Sequence, residues 1–380
     1  MTRKLKIGLV CPYNITISGG VQLIVMSLAD RLSEKGHQVK IITPLPKGHQ
    51  LTDFHDSRII FIGKSTDFRS PLHTTVQIST SIYNDRIKQV LTNEKFDVIN
   101  LHEPWVPFIS RQILQKSQAI NIGTFHAKIP ESVMTRSLVR VVNPYLKSVI
   151  EELDGITACS ASAAEYVGSL TTKTIKIIPN GIDLSLFKIR KNTTINTKHP
   201  TILYIGRLET RKGVGYLIEA FRFLYDKYPK VKLLIAGDGP NRSKLEELVK
   251  KYRLNSNVKF LGVISDNQKY NLLNKCDLFC SPAIFGESFG IVLLEAMAAS
   301  AVVVAGNNSG YSELMQGIGK ISIVNVKDIC SFTDRLEILL FQPELRQVWL
   351  NWAKQYSKEY DINEVVIQYE SYYLDTLLNG

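Results

Sequence analysis

The sequence lacks the long apolar runs of a membrane protein, since none approaches the ~18 residues that a spanning helix needs. The N-terminus, Met1-Thr2-Arg3-Lys4, leads directly into an apolar stretch, which predicts no signal peptide. Hydrophobic residues make up 44% and charged residues 21% of the chain, as in ordinary globular proteins. We therefore expect a cytoplasmic protein, and its 380 residues predict two domains.

Cysteine is scarce, and its pattern indicates neither a disulfide framework nor a metal site. The five cysteines are an odd number scattered among apolar segments, and we expect them to be reduced core residues. Cys276 and Cys280 have a spacing that metal ligands use, but no histidine or further cysteine lies nearby. The sequence predicts no bound metal.

Several catalytic patterns are also missing. We find no Ser/His/Asp or Cys/His nucleophile grouping, no Walker loop and no carboxylate cluster for magnesium, and we expect no cofactor. The net charge is +11, and most of the excess lies in the first half of the chain. A basic half suits a phosphorylated acceptor or an anionic membrane surface. Nucleic acid is not expected as a partner, because no dense basic stripe with interleaved aromatics is present.

Apolar segments of strand and helix character alternate along the chain, which predicts parallel sheets with helices on both faces. Polar residues rich in Asn and Thr separate two such sets. We predict an N-terminal Rossmann-like domain at 1–186, a linker at 187–200, a C-terminal Rossmann-like domain at 201–355, and a helix at 356–380 that packs back on the first domain. The predicted strands are Lys6–Cys11, Val39–Thr43, Ile59–Ile62, Val98–Leu101, Ile120–Phe125, Ile156–Cys159, Ile175–Ile178, Thr201–Ile205, Val231–Ala236, Val258–Leu261, Leu278–Ser281 and Val302–Ala305.

Residues 286–300 carry the most informative pattern. Glu287 precedes a helix predicted to begin near Gly290, and Glu295 lies about two helical turns further on. The free amides at such a helix start favour an anion such as a pyrophosphate. One acid then lies beside the anion and the other lies deeper on the same face. This arrangement suits a ligand with phosphates in the middle and hydroxyls at both ends, such as a nucleotide sugar. The competing interpretation is a core helix that Glu287 caps, with Glu295 paired to a neighbouring base.

Arg207 and Lys212 lie on one loop that follows a predicted strand and opens a helix. Positive charge is unfavourable at a helix start, so these two cations predict an anion that relieves the mismatch. They are well placed to neutralise a pyrophosphate. The alternative is a pair of solvated cations.

Two features of the first domain are weaker signals. The turn that contains Gly19 and Gly20 resembles a phosphate-approach turn but lacks a full Gly-x-Gly-x-x-Gly spacing. His126 ends a predicted strand and suits a hydrogen-bond donor to a sugar or phosphate, although a lone histidine is more often structural. His102 has the same ambiguity.

Together these segments resemble the retaining GT-B glycosyltransferases of glycosyl transferases group 1. The resemblance spans nearly the whole chain, and the first domain is most similar to bacterial phosphatidylinositol mannosyltransferases. The matching segments are Gly8–Tyr13, Gly19–Gln22, His102–Pro104, Thr124–His126, Ile178–Asp183, Gly206–Gly213, Ala236–Pro240 and the Glu287–Glu295 pair.

This resemblance implies two Rossmann-like domains with a cleft between them, and roles for particular residues. The catalytic group implied is His126, Arg207, Lys212 and Glu287, with Glu287 on the sugar hydroxyls. The donor-binding group is Gly19, Gly20, Arg207, Lys212, Val263, Ile264, Asp266, Ser288, Phe289, Gly290, Ile291 and Glu295, with Glu295 on the ribose and Val263 to Asp266 beside the base. Tyr13, Asn14 and Arg69 are the acceptor-binding candidates.

The predicted function is metal-independent, retaining transfer of a hexose, with GDP-mannose as the first donor and a UDP-sugar as the second. The acceptor is a glycan or a phospholipid of the phosphatidylinositol type, and the location is cytoplasmic or peripheral at the inner face of the plasma membrane. One alternative is a related transferase that uses a UDP-sugar and a soluble acceptor. An alternative of another class is an inert nucleotide-sugar-binding protein.

Overall fold

The computed structural model describes residues 3–17, 19–69, 75–79, 84–127, 143–187 and 199–379. The chain divides into two compact units. The N-terminal unit comprises Met1–Gly181 and Ile362–Gly380, and the C-terminal unit comprises Ile182–Asp361. The predicted domain ends at 186 and 355 lie a few residues from these divisions, and most of the predicted linker at 187–200 lies outside the described residues.

The N-terminal unit contains an eight-stranded sheet in the order β4-β3-β2-β1-β5-β6-β7-β8. All neighbouring strands pair in parallel except β3 and β4, which are antiparallel. The strands are β1 Lys6–Val10, β2 Gln38–Leu45, β3 Ile59–Arg69, β4 Thr75–Ser79, β5 Val98–His102, β6 Ile120–Phe125, β7 Gly155–Ala158 and β8 Ile175–Ile177.

The C-terminal unit contains a six-stranded parallel sheet in the order β11-β10-β9-β12-β13-β14. In both sheets the strand order reverses direction beside the first strand of the unit, where ligands bind in doubly wound folds. The strands are β9 Thr201–Ile205, β10 Lys232–Ala236, β11 Val258–Gly262, β12 Leu278–Ser281, β13 Val302–Gly306 and β14 Ile323–Val324.

Helices connect most of the strands, as the parallel pairing requires. They are α1 Gly20–Glu34, α2 Asn84–Glu94, α3 Ile109–Leu114, α4 143–151, α5 Ala161–Gly168, α6 Val214–Lys227, α7 Arg242–Lys251, α8 Asp266–Leu273, α9 Ile291–Ala298, α10 Ser309–Leu314, α11 Ile329–Phe341, α12 Pro343–Tyr356 and α13 Ile362–Asn379.

The core of the N-terminal unit joins β1, α1 and α13. The apolar face of α1 contributes the fully buried Ile24, Val25 and Leu28, as the sequence period predicts. The C-terminal helix α13 adds buried aromatic residues to this core. His37 and Glu370 also join the two ends of the chain, with 2.9 Å between Nε2 and Oε1.

The structure contains each strand that the sequence predicts and adds β4 and β14. Most bounds agree within a few residues, but β3 continues to Arg69, seven residues beyond its predicted end at Ile62. The cysteines are all free, and Cys330 is exposed, so the prediction of core residues was wrong for that one. In the described part of the chain, no helix is long and apolar enough to cross a membrane.

Candidate functional site

In the C-terminal unit, two loops at the carboxyl ends of neighbouring strands pack against each other. The loop after β9 runs from Gly206 to Gly213, and the loop after β12 runs from Pro282 to Gly290. Gly213 has a left-handed backbone (φ +69°), and a Cβ there would lie 2.0 Å from the Pro282 carbonyl oxygen. Only glycine tolerates both the φ angle and this approach, so the loop positions of Arg207 and Lys212 depend on Gly213.

The two loops are joined by a chain of ion pairs. Arg207 contacts Glu209 at 3.0 Å, Arg211 contacts Glu209 at 3.0 Å and Glu287 at 2.7 Å, and Lys212 also contacts Glu287 at 2.7 Å. The mismatch of two cations near a helix start is therefore relieved here by carboxylates of the chain itself. The predicted Arg207, Lys212 and Glu287 do come together.

Glu287 is ionised and has one oxygen available. Burial by itself would raise the pKa of the Glu287 carboxyl, but Lys212 and Arg211 outweigh burial and hold that pKa below its ordinary value. Both cations contact Oε1, which leaves Oε2 for a ligand hydroxyl. The alternative interpretation of Glu287 as a helix cap was wrong, because Gly290 is the N-cap of α9.

The start of α9 depends on a glycine at its N-cap. Gly290 has φ +98°, and a Cβ there would lie 2.8 Å from the Tyr311 ring. Asn308, the N-cap of α10, donates from Nδ2 to the Ala283 carbonyl oxygen at 3.0 Å and so ties α10 to the same loop. Ser288 is half-buried and Phe289 is buried against Tyr360, with 5.9 Å between ring centroids, while Ile291 opens the helix.

Glu295 lies buried on α9 and pairs with Lys269 of α8 at 2.6 Å. Burial raises the pKa of Glu295, and Lys269 offsets part of that rise. The pairing with a neighbouring base, one of the two sequence interpretations, is thus present. Asp266 opens α8 and lies 3.5 Å from Lys269, while Ser265 is the N-cap of that helix.

The remaining base-side candidates precede α8. Val263 is 80% exposed, which is unusual for a branched apolar side chain, and Ile264 is half-buried beside it. An exposed apolar residue at a strand end gives a planar ligand a surface to pack against.

In the N-terminal unit, Gly19 is the N-cap of α1 and Gly20 is its first residue. A Cβ at Gly20 would meet nothing within 4 Å, so the fold itself leaves the space beside Gly20 open. Nearby, the Oδ1 atom of Asn14 accepts hydrogen bonds from the amide and the hydroxyl of Thr16, and these two bonds stabilise the loop before α1.

The other acceptor candidates are positioned by neighbouring strands. Tyr13 pairs with Ile78 of β4 in an isolated bridge. Burial raises the pKa of the Tyr13 phenol, and so does the nearby Glu103. Arg69 is the last residue of β3, and its side chain lies outside what the structure describes.

His126 lies buried at the end of β6 beside two other titratable residues. Its Nε2 is 2.8 Å from His102 Nδ1, so a single proton lies between the two rings, and its amide donates to Glu103 Oε1 at 2.7 Å. Burial lowers the pKa of His126 to about 4 and raises that of Glu103 to about 8. At neutral pH His126 is therefore uncharged, and its Nε2 is engaged with His102.

Comparison with known proteins decides the family. The model described as Glycosyltransferase Family 4 matches residues 18–186, and the model Glycosyl transferases group 1 matches residues 187–356. The phosphatidyl-myo-inositol mannosyltransferase of Propionibacterium freudenreichii subsp. shermanii is 31% identical over 82% of this chain and 79% of its own length. The chain belongs to the group 1 glycosyl transferases.

Two further likenesses span almost the whole chain. The phosphatidyl-myo-inositol mannosyltransferase of Mycolicibacterium smegmatis is 29% identical over 96% of this glycosyltransferase and 92% of its own length. The structure of a sucrose-phosphate synthase from Thermosynechococcus elongatus superposes with a TM-score of 0.78 at 19% identity, covering 99% and 100% of the two chains. The predicted glycosyltransferase family and GT-B fold are both confirmed.

Sequence reasoning missed the partners that hold the site of this group 1 glycosyltransferase together. Glu209 and Arg211 were overlooked on the loop that supplied Arg207 and Lys212, and Lys269 was overlooked beside Glu295. A signal for the first two was present, because Arg207, Glu209 and Arg211 alternate in charge on one short loop.

Proposed function

We propose that this protein transfers mannose, with retention and without a metal, from GDP-mannose to a phosphatidylinositol-type lipid. The observation that carries the donor half is the ion-pair chain from Arg207 to Glu287 at the carboxyl ends of β9 and β12. The acceptor half is supported by the names of the relatives, which are phosphatidyl-myo-inositol mannosyltransferases over 96% and 82% of this chain.

The donor diphosphate suits Arg207 and Lys212. The side chain of Arg207 is 47% exposed, so we propose that its guanidinium turns from Glu209 toward the diphosphate when the donor binds. Negative charge grows on the diphosphate as the sugar departs, and two cations that meet that charge stabilise the transition state. These cations make a metal unnecessary in the proposed reaction.

Retention is proposed to occur by attack on the same face from which the diphosphate leaves. A double displacement would need a carboxylate within bonding distance of the anomeric carbon. In our proposal Glu287 is not this nucleophile, because the resemblance implies that it lies beside the sugar hydroxyls, and Arg211 and Lys212 hold one of its oxygens. In our proposal its free oxygen accepts a sugar hydroxyl instead, and a diphosphate oxygen takes the proton of the acceptor.

A lipid acceptor implies that the transfer reaction takes place at a membrane surface. The net charge of +11 favours approach to an anionic leaflet. We therefore propose a peripheral location at the inner face of the plasma membrane.

The test is a transfer assay with radiolabelled GDP-mannose, UDP-glucose and UDP-N-acetylglucosamine. Each donor is incubated with phosphatidylinositol vesicles, with phosphatidylcholine vesicles, or without acceptor, and with or without EDTA. We expect label to enter lipid only from GDP-mannose with phosphatidylinositol, at equal rates with EDTA, and the product to have the α-configuration of the donor by NMR.

Other outcomes separate the alternatives. Transfer from a UDP-sugar, or to a soluble acceptor alone, would replace the mannosyl-lipid assignment by the related transferase. Loss of transfer with EDTA would contradict metal independence. Donor binding in a thermal-shift assay without hydrolysis or transfer would leave an inert nucleotide-sugar-binding protein.

A further inference from the structure

Arg211 contacts both carboxylates of the ion-pair chain, Glu209 and Glu287. Its Nε lies 3.0 Å from Glu209 Oε2, and its Nη1 lies 2.7 Å from Glu287 Oε1. Arg207 contacts Glu209, and Lys212 contacts Glu287. Arg211 therefore occupies the middle of the chain, between the two cations assigned to the diphosphate.

We propose that Arg211 is a positioning residue that keeps Glu209 and Glu287 paired when a diphosphate draws Arg207 and Lys212 away. This inference rests on the proposed function of those two cations. It assigns to Arg211 no contact with the substrate. Its effect on the reaction is exerted through Glu287, whose charge and orientation it maintains.

The burial of the carboxylates makes such a residue necessary. The side chains of Glu209 and Glu287 are 8% and 14% exposed, so water replaces a lost cation poorly. Removing one partner of a buried ion pair leaves an uncompensated charge and is strongly unfavourable. Without Arg211, the diphosphate would have to compete with Glu209 and Glu287 for the same two cations.

The geometry of Arg211 suits the task. A guanidinium presents several N–H donors in a fixed plane and can serve two carboxylates at once, whereas an ammonium is a point charge. Arg211 Nη1 also donates to the Gly286 carbonyl oxygen at 3.2 Å, and the Arg211 carbonyl accepts from the Ile284 amide at 2.8 Å. Main chain and side chain both fix Arg211 to the loop that carries Glu287, so it stays in place when its neighbours turn.

The test measures the pKa of Glu287 by NMR of protein labelled with ¹³C at the glutamate carboxyl, with the Glu287 signal assigned from E287Q. It is measured without ligand and with saturating GDP or UDP, whichever the wild-type protein binds more tightly. The variants are R211M, which removes the positive charge, and R211K, which keeps the charge but lacks the planar guanidinium with its several N–H donors. The control is R58M, since Arg58 also bridges two carboxylates, Asp56 and Asp30, in the N-terminal unit.

In the wild-type protein and in R58M, we expect the Glu287 pKa to stay below its ordinary value in both states. R211M should raise it without ligand and raise it further with the nucleotide, because Lys212 then leaves. R211K should match the wild-type protein without ligand and show a raised pKa only when the nucleotide is bound. Nucleotide affinity should fall about 10- to 100-fold in R211M.

An unchanged Glu287 pKa in ligand-free R211M would overturn the inference, whatever the nucleotide does. A loss of nucleotide affinity without a change in that pKa would make Arg211 a diphosphate ligand and would also overturn it. If R211M does not fold, the pKa of Glu287 in nucleotide-bound R211K decides: a raised pKa supports the inference, and an unchanged pKa overturns it. If the wild-type protein binds neither nucleotide, the proposed function fails, while the ligand-free comparison of R211M still decides the role of Arg211.

Discussion

Gly310 lies directly against the backbone of Glu287. A Cβ on residue 310 would come within 2.3 Å of the Glu287 carbonyl oxygen, and within 2.6 Å of the Ser288 carbonyl carbon. No side-chain rotation relieves a contact with backbone atoms, so any larger residue at position 310 must displace the loop. Only the hydrogen of a glycine fits behind the backbone of Glu287.

Gly310→Ala should therefore disturb the donor site without touching its charged groups. A displacement of about 1 Å at a catalytic group costs on the order of 100-fold in rate, and we expect transfer activity to fall at least 10-fold. Gly215→Ala is the matched control, because a Cβ there meets only Leu245 at an ordinary 3.9 Å. Equal activity of both variants in the GDP-mannose assay would contradict this role of Gly310.

The fold was largely predictable because parallel strands in doubly wound sheets are short apolar runs separated by helices. The two strands that escaped prediction lie at sheet edges. β4 lies beside β3 and pairs with it antiparallel, while β14 has two residues that pair with β13. Such pairing depends on a neighbouring strand that the local pattern does not specify.

The site was predictable in its positions but not in its pairing. Strand ends brought Arg207, Lys212 and Glu287 to one edge of a sheet, as expected. The cations predicted an external anion, yet Glu209 and Glu287 already pair with them. Which carboxylate meets which cation depends on loop conformations set by glycines such as Gly213, whose contacts are distant in sequence.

Arg207→Ala should mainly lower turnover. The charge that Arg207 meets in the proposed mechanism grows as the diphosphate departs, so its removal affects the transition state more than the bound donor. We expect kcat to fall about 100-fold, with a smaller change in KM for the donor. Arg222→Ala, on the surface of α6, provides the control. An unchanged kcat with a raised KM would show that Arg207 serves donor binding alone.

Lys269→Met should destabilise the protein, because Glu295 would lose the cation that lies 2.6 Å from its carboxylate while remaining buried. Breaking a buried pair costs about 3 kcal/mol, to be measured by denaturant unfolding. The same substitution in an E295Q background should cost much less, since no charge is then left unpaired. Lys227→Met breaks an exposed pair with Glu337 and should change the free energy of unfolding far less. If the losses of unfolding free energy from Lys269→Met and E295Q simply add in the double variant, the two side chains are not coupled and the prediction is wrong.

Glu103→Gln should change how stability depends on pH. Burial raises the pKa of Glu103 from 4.5 to about 8. As pH rises between these values, the unfolded chain loses a proton that the folded protein retains, so the free energy of unfolding falls. His126 and His102 have lowered pKa values and act with the opposite sign, but only below the ordinary histidine value of 6.5.

The interval from pH 6.5 to 8 therefore isolates Glu103 from these two histidines. There we expect the wild-type protein to lose on the order of 1 kcal/mol in denaturant unfolding, and Glu103→Gln to remove that slope. The glutamine keeps an oxygen to accept the 2.7 Å hydrogen bond from the His126 amide. Glu344→Gln, at an exposed position of α12, should keep the wild-type slope. A slope that persists in Glu103→Gln would mean that Glu103 is ionised at neutral pH, and that His126 lies beside a negative charge rather than a neutral acid.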